Sequence, residues 1–312
     1  MTMLSRVAER VYWMARYLER AENAARLVDA YHHMVMDIPR SAQPGWDILV
    51  RILAARPIFG EYFRVPNEQN VVKLLIAESG ATCSIPYAVH AARENVRTTR
   101  DVLPDEVWEL VNELHLYARE HSGSSVGRRN RQQFLQEIVS RSQVITGVLN
   151  STLCRDHTYR FVKIGQLLER ADMTTRIIDV GAADILDQEG AHQAIDHLLW
   201  GTLLKSLSAL GAYRRMIGPL VEKNAAVDFV FLEPAFPRSL AFCLRGIREE
   251  LSPLSNHTQA VKMVDRARRK LRRFESGKYG RDELHVYIDD LQVILSQVHA
   301  AISDTWFRFD AR

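Results

Sequence analysis

Between residues 9 and 26 the chain sets carboxylates and guanidiniums about one helical turn apart. That spacing can hold an ionic ligand or lock two helices together. At about 100° per residue, Glu9, Tyr12, Arg16, Glu19, Arg20, Asn23 and Arg26 fall on one side of a helix, and Val7, Val11, Met14, Leu18, Ala21, Ala25 and Val28 on the other. Trp13, Tyr17 and Ala24 border the polar stripe, so it is expected to be partly enclosed. Enclosed charges must be paired, because an isolated buried carboxylate or guanidinium costs several kcal/mol. Glu22 with Arg26, and Asp172 with Arg176, supply acid-first i,i+4 pairs. Such pairs contribute about 0.2–0.5 kcal/mol each when exposed. Glu19 and Glu169 are expected to pair with Arg93 or Arg248 through the forked arginine geometry.

Two chemistries remain open for these residues. One is an ion-pair lattice that fixes the register of packed helices. The other is a pocket in which arginines hold a carboxylate or phosphate and Glu19 or Glu169 serves as general acid/base or ammonium ligand. Its binding residues would be drawn from Arg16, Arg20, Glu22, Arg26, Arg93, Glu94, Arg170, Asp172, Arg176, Arg248 and Glu249.

The elements that must position them are helical. Apolar residues recur with helical period while Gly and Pro mark the joints, which predicts an all-α fold with helices near 3–36, 46–64, 84–101, 104–121, 130–153, 156–182, 192–217, 238–252, 257–276 and 281–308. The runs 71–77 and 227–232 read as strand or helix. The sequence also repeats itself. Arg10 to Asp29 aligns without gaps on Arg160 to Asp179 at an offset of 150, Trp46 matches Trp200 at 154, and Val72 to Val96 aligns on Val227 to Leu251 at 155. The expectation is a multi-helix bundle of two duplicated repeats, 1–155 and 156–312, related by a pseudo-twofold axis and forming one continuous body. Ser84 and Ser239 then read as matching N-caps.

The segment Arg10-Val11-Tyr12-Trp13-Met14-Ala15-Arg16-Tyr17-Leu18-Glu19-Arg20-Ala21-Glu22 resembles the opening signature of the alpha-E family. Ala92-Arg93-Glu94-Asn95-Val96-Arg97 with Trp108 and Asn112 is similar to its second motif. Tyr159-Arg160-Phe161, Gly165, Leu168-Glu169-Arg170-Ala171-Asp172 and Thr175-Arg176 resemble the third, and Phe236-Pro237-Arg238-Ser239-Leu240 with Phe242-Cys243-Leu244 the fourth, which adds Arg238 to the candidate binding residues. The resemblance implies an all-helical domain encoded beside, or fused to, a circularly permuted ATP-grasp protein and a transglutaminase-like cysteine peptidase. It therefore implies an accessory role in making or processing an amide-linked peptide. Glu233 stands where the family pattern has an aspartate.

Composition narrows the rest. With 312 residues, 47% hydrophobic, 25% charged and a net charge of +3, the chain is an ordinary globular one with no general pull toward polyanions. Three widely spaced cysteines fit free thiols, and Glu9 and Arg10 interrupt any secretory apolar core, so a cytoplasmic location is expected and no membrane span. No Walker loop, GxSxG elbow or Cys/His signature is present, and no cofactor is expected. His32-His33 and the Glu189/His192 pair fall short of a di-iron set, so no metal is expected. Arg266, Arg268, Arg269, Lys270, Arg272 and Arg273, and the smaller group Arg128, Arg129 and Arg131, lack interleaved aromatics; a solvated helix face is expected, with polyanion binding the alternative.

Overall fold

A computed structural model describes residues 5–39, 43–186 and 193–308. Among the described residues there are fourteen α-helices and no strand. The first half runs α1 (Ser5–Asp37), α2 (Asp47–Ile52), α3 (Arg56–Tyr62), α4 (Glu68–Ile76), α5 (Ile85–Arg97), α6 (Asp105–His121) and α7 (Arg128–Thr152). The second runs α8 (His157–Leu186), α9 (Gln193–Ser206), α10 (Leu210–Met216), α11 (Lys223–Leu232), α12 (Leu240–Leu251), α13 (Thr258–Leu271) and α14 (Arg281–Trp306). The Glu189/His192 pair and residues 3 and 4 of the expected first helix lie outside the described residues.

The long helices α1 and α8, about 50 and 45 Å at 1.5 Å per residue, pack against each other at the centre. The layer α5–α6–α7 rests on α1 and the layer α12–α13–α14 on α8. Because α1 is covered from several directions, burial runs around most of it. Val11, Tyr12, Met14, Ala21, Ala25 and Val28 are fully covered, and the polar stripe is covered too, with Glu19 only 2% exposed. Gly165 makes the close crossing possible, since a Cβ there would collide with the backbone carbonyl of Tyr12.

Several boundaries differ from the sequence expectation for local reasons. The expected helix 46–64 is split into α2 and α3 at Ala54, which takes a left-handed φ of 50°, with Pro57 then in the first turn of α3. The expected helix 192–217 is likewise split into α9 and α10 at Ser208, φ 55°. The ambiguous runs 71–77 and 227–232 are helical, in α4, with Ala77 as its C-cap, and in α11. Both N-caps form as expected: Ser84 Oγ accepts from Tyr87 N–H at 3.2 Å, and Ser239 Oγ from Phe242 N–H at 3.1 Å. No helix among the described residues is long and apolar enough to cross a membrane.

Candidate functional site

The two central helices exchange charges reciprocally. Arg170 on α8 grips Glu19 on α1 with two prongs, Nε to Oε1 at 3.0 Å and Nη2 to Oε2 at 2.9 Å. Arg20 on α1 grips Glu169 on α8 in the same way, Nε to Oε1 at 2.6 Å and Nη2 to Oε2 at 3.2 Å. Each glutamate also receives a second guanidinium, but from a different place. Glu169 takes Arg16 Nε at 2.7 Å from the preceding turn of α1. Glu19 takes Arg238 Nη1 at 2.7 Å, from the residue just before the Ser239 cap of α12. Arg238 continues to Asn23 Oδ1 at 2.7 Å and Glu22 Oε1 at 2.8 Å, while Thr174 Oγ1 donates to the Arg238 carbonyl at 3.0 Å.

Burial alone would raise the Glu19 and Glu169 carboxyls, but the flanking guanidiniums outweigh it and hold both at about 2. The paired arginines Arg16 and Arg170 are held more firmly protonated, the Coulomb attraction of Glu169 and Glu19 overcoming burial. Aromatic rings support the fork: Arg16 lies over Trp13 at 4.9 Å and Arg20 over Tyr17 at 5.4 Å. Arg16 Nη1 also donates to the Tyr12 hydroxyl at 3.2 Å, which hydrogen-bonds His299 Nδ1 at 2.8 Å.

The expected i,i+4 pairs are present. Arg26 Nη2 meets Glu22 at 2.7 Å, and Arg176 Nε meets Asp172 at 2.8 Å. The expected pairing of Glu19 and Glu169 with Arg93 or Arg248 is not. Arg93 donates to Asn112 at 2.8 Å and Glu94 at 2.7 Å and lies over the Trp108 ring, while Arg248 reaches Asp265 at 3.0 Å. The reason is distance along the helix: both arginines sit nine residues beyond their serine caps, roughly 13 Å of helix, and the cap ends face the glutamates. Glu94 and Glu249 are surface partners of Arg97 and Arg245. Glu233 shapes the turn before α12, its Oε1 accepting from Ala235 N–H at 2.8 Å.

The Glu169 side opens to solvent-accessible space. A cavity of about 360 Å³ is lined by Arg20, Cys83, Glu169, Asp172, Met173 and Arg176, together with the α2–α3 corner. A second, about 440 Å³, shares Asp172 and Arg176 and adds Arg16, Asp289 and His299. A third, about 460 Å³, shares Ala54 and Pro57 with the first and is flanked by Arg56, Asp179 and His285. Through these shared residues they lie side by side along α8 from Leu168 to Val180, a trough of about 18 Å of helix with charged and apolar walls. Glu19 lines none of the three.

Among the described residues, Asp179, His285 and Asp289 bring possible metal-ligand atoms within 4.8 Å of one another. Both ring nitrogens already face carboxylates, Nδ1 to Asp179 at 2.6 Å and Nε2 to Asp289 at 3.6 Å, so the geometry is that of an ion-paired imidazolium. The sequence carries only the i,i+4 spacing of His285 and Asp289; Asp179 joins from α8. His32 and His33 make separate contacts, with Arg131 at 3.2 Å and Asp29 at 3.6 Å. In the basic run, Arg268 pairs with Asp265, Lys270 with Asp290, and Arg266 donates to Gln297. Arg128 and Arg131 both engage Glu68.

Comparison with known proteins agrees with this architecture. Residues 3–307 match Alpha-E, described as a predicted alpha-helical domain with a conserved ER motif. This chain has three ER dipeptides, Glu9-Arg10, Glu19-Arg20 and Glu169-Arg170, and the last two cross-link α1 to α8. An uncharacterized protein of Mycobacterium bovis and one of Mycobacterium tuberculosis are each 23% identical over 322 residues, covering 96% of this chain. The chain spans only 36% of the length of those relatives. No solved structure matches. With nearly its whole length matched, the chain belongs to the Alpha-E family.

Proposed function

We propose that this chain is a binding component of an ATP-grasp-dependent system that forms or modifies amide-linked peptides, and that the trough along α8 takes the amino acid or peptide. The observation that carries the reading is that Arg20, Asp172 and Arg176 line accessible space beside the buried ion-paired centre. A ligand offering both a carboxylate and an amine finds partners of each sign there. Glu19 and Glu169 serve to hold Arg20 and Arg170 in place. Carboxyls held at about 2 by two guanidiniums each are poor proton carriers near neutrality, which favours positioning over acid/base work.

The partners in this reading are a circularly permuted ATP-grasp protein, which supplies the ATP chemistry, and a transglutaminase-like peptidase. That assignment rests on what the resemblance to the family implies, and the relatives extend well beyond the matched region. The setting is the cytoplasm, in keeping with three free thiols. We also read the halves 1–155 and 156–312 as duplicated units about a pseudo-twofold axis. The reciprocal bonds Arg20–Glu169 and Arg170–Glu19 and the matching serine caps support that origin.

The test is co-expression with the ATP-grasp partner, followed by measurement of ADP formation and product with candidate amino acids, with and without this chain. Association together with a change in turnover or product is expected. Neither association nor any change would overturn the reading.

A further inference from the structure

The two buried glutamates sit in corners built alike but closed differently. Around Glu19, two carboxylates (Glu19, Glu22) meet three guanidiniums (Arg26, Arg170, Arg238). Around Glu169, two carboxylates (Glu169, Asp172) again meet three guanidiniums (Arg16, Arg20, Arg176). Each corner thus carries one positive charge in excess. The difference is where the third arginine comes from. Arg238, immediately before the Ser239 cap, fills the Glu19 corner with its own guanidinium. The residue immediately before the Ser84 cap is Cys83, whose short side chain leaves the cavity of about 360 Å³ in that place. The third arginine there, Arg16, arrives from α1 instead and lines the neighbouring cavity.

The donors facing this space are not used up. Arg20 spends Nε and Nη2 on Glu169, and Arg176 spends Nε on Asp172. Their other terminal nitrogens have no acceptor among the described residues. A guanidinium carries five N–H groups in a planar fork that matches an oxyanion. A cation would add to a corner that is already positive, whereas an oxyanion balances it.

We propose that the cavity in front of Cys83 is an oxyanion subsite in which Arg20 and Arg176 hold the carboxylate of an amino acid or peptide, and that Cys83 keeps open a corner that an arginine closes on the other side. This rests on the peptide-binding reading given above and names the group recognised. A phosphate group has the same chemistry, and the experiment separates the two sources.

Binding to the full chain is measured by calorimetry for acetyl-Ala-Ala with a free carboxylate, for the same peptide as its carboxamide, and for inorganic phosphate. The free acid should bind at least about tenfold more tightly than the amide, the scale of a charge-assisted hydrogen bond. Cys83→Phe, which fills the cavity without adding charge, should lower affinity for the acid by at least about tenfold, on the same scale. Arg176→Gln should do the same, and as its side chain is 30% exposed it offers a variant that leaves the buried centre intact. Phosphate binding more tightly than the acid, and lost in both variants, would support the subsite and assign it to phosphate. Equal binding of acid and amide would overturn the subsite while leaving peptide binding standing. Wild-type affinity in both variants would overturn it as well, and binding of none of the three probes would overturn both readings.

Discussion

Glu19→Gln removes the charge at the point where α1, α8 and the start of α12 are tied together. The carboxylate accepts three guanidinium hydrogen bonds, two from Arg170 at 3.0 and 2.9 Å and one from Arg238 at 2.7 Å, with its side chain 1% exposed. Glutamine keeps one acceptor oxygen and turns an N–H₂ toward a guanidinium, leaving buried positive charge undercompensated. Breaking a buried pair in this way costs about 3–5 kcal/mol. The same guanidiniums hold the carboxyl at about 2, below its ordinary 4.5, which has the same sign. Against total stabilities of about 5–15 kcal/mol, such a loss is plainly measurable by urea denaturation followed by circular dichroism. The comparison is Glu94→Gln, a pair with its carboxylate 36% exposed, for which a change within about 1 kcal/mol is expected. The pH dependence has a definite sign. Because folding depresses the Glu19 carboxyl, its contribution is complete above about 4.5 and is lost as pH falls toward 2, and the variant should lack that part of the acid sensitivity. A loss at neutral pH no larger than that of Glu94→Gln would refute the reasoning.

Three further outcomes follow from the packing. Two histidines on α14 should titrate in opposite directions by NMR. His285 lies above 6.5 because Asp179 accepts a hydrogen bond from its ring N–H, and His299 lies below because burial and then Arg16 disfavour its charge; the reverse order would refute both assignments. The His285 contribution to stability is therefore complete below 6.5 and fades as pH rises past the raised value, a trend His285→Gln should abolish. Gly147→Ala, with nothing within 4 Å of the added Cβ, should stabilise α7 by up to about 1 kcal/mol, whereas Gly165→Ala should destabilise by about 1–3 kcal/mol through collision with the Tyr12 backbone, both read from thermal unfolding. Native protein should expose one fast thiol, Cys154, to a disulfide reagent, since burial pushes Cys83 up to about 11 and Cys243 up to about 12; denatured protein should show all three.

Much of this protein is legible in its sequence because much of it is local. Helical period, the serine caps and the pairs Glu22–Arg26 and Asp172–Arg176 depend on residues within about one turn, so spacing alone determines them. The alignment of residues 10–29 with 160–179 also draws attention to Glu19 and Glu169. The breaks at Ala54 and Ser208 were not visible, because neither residue type announces a left-handed backbone. The partners of the two glutamates were decided only by tertiary structure. Arg238 reaches Glu19 across 219 residues, and which end of α12 faces α1 follows from how three helices pack, not from any spacing in the chain. The same packing turned two similar corners into one closed by Arg238 and one left open by Cys83, since the size of a cavity depends on what neighbouring helices bring to it.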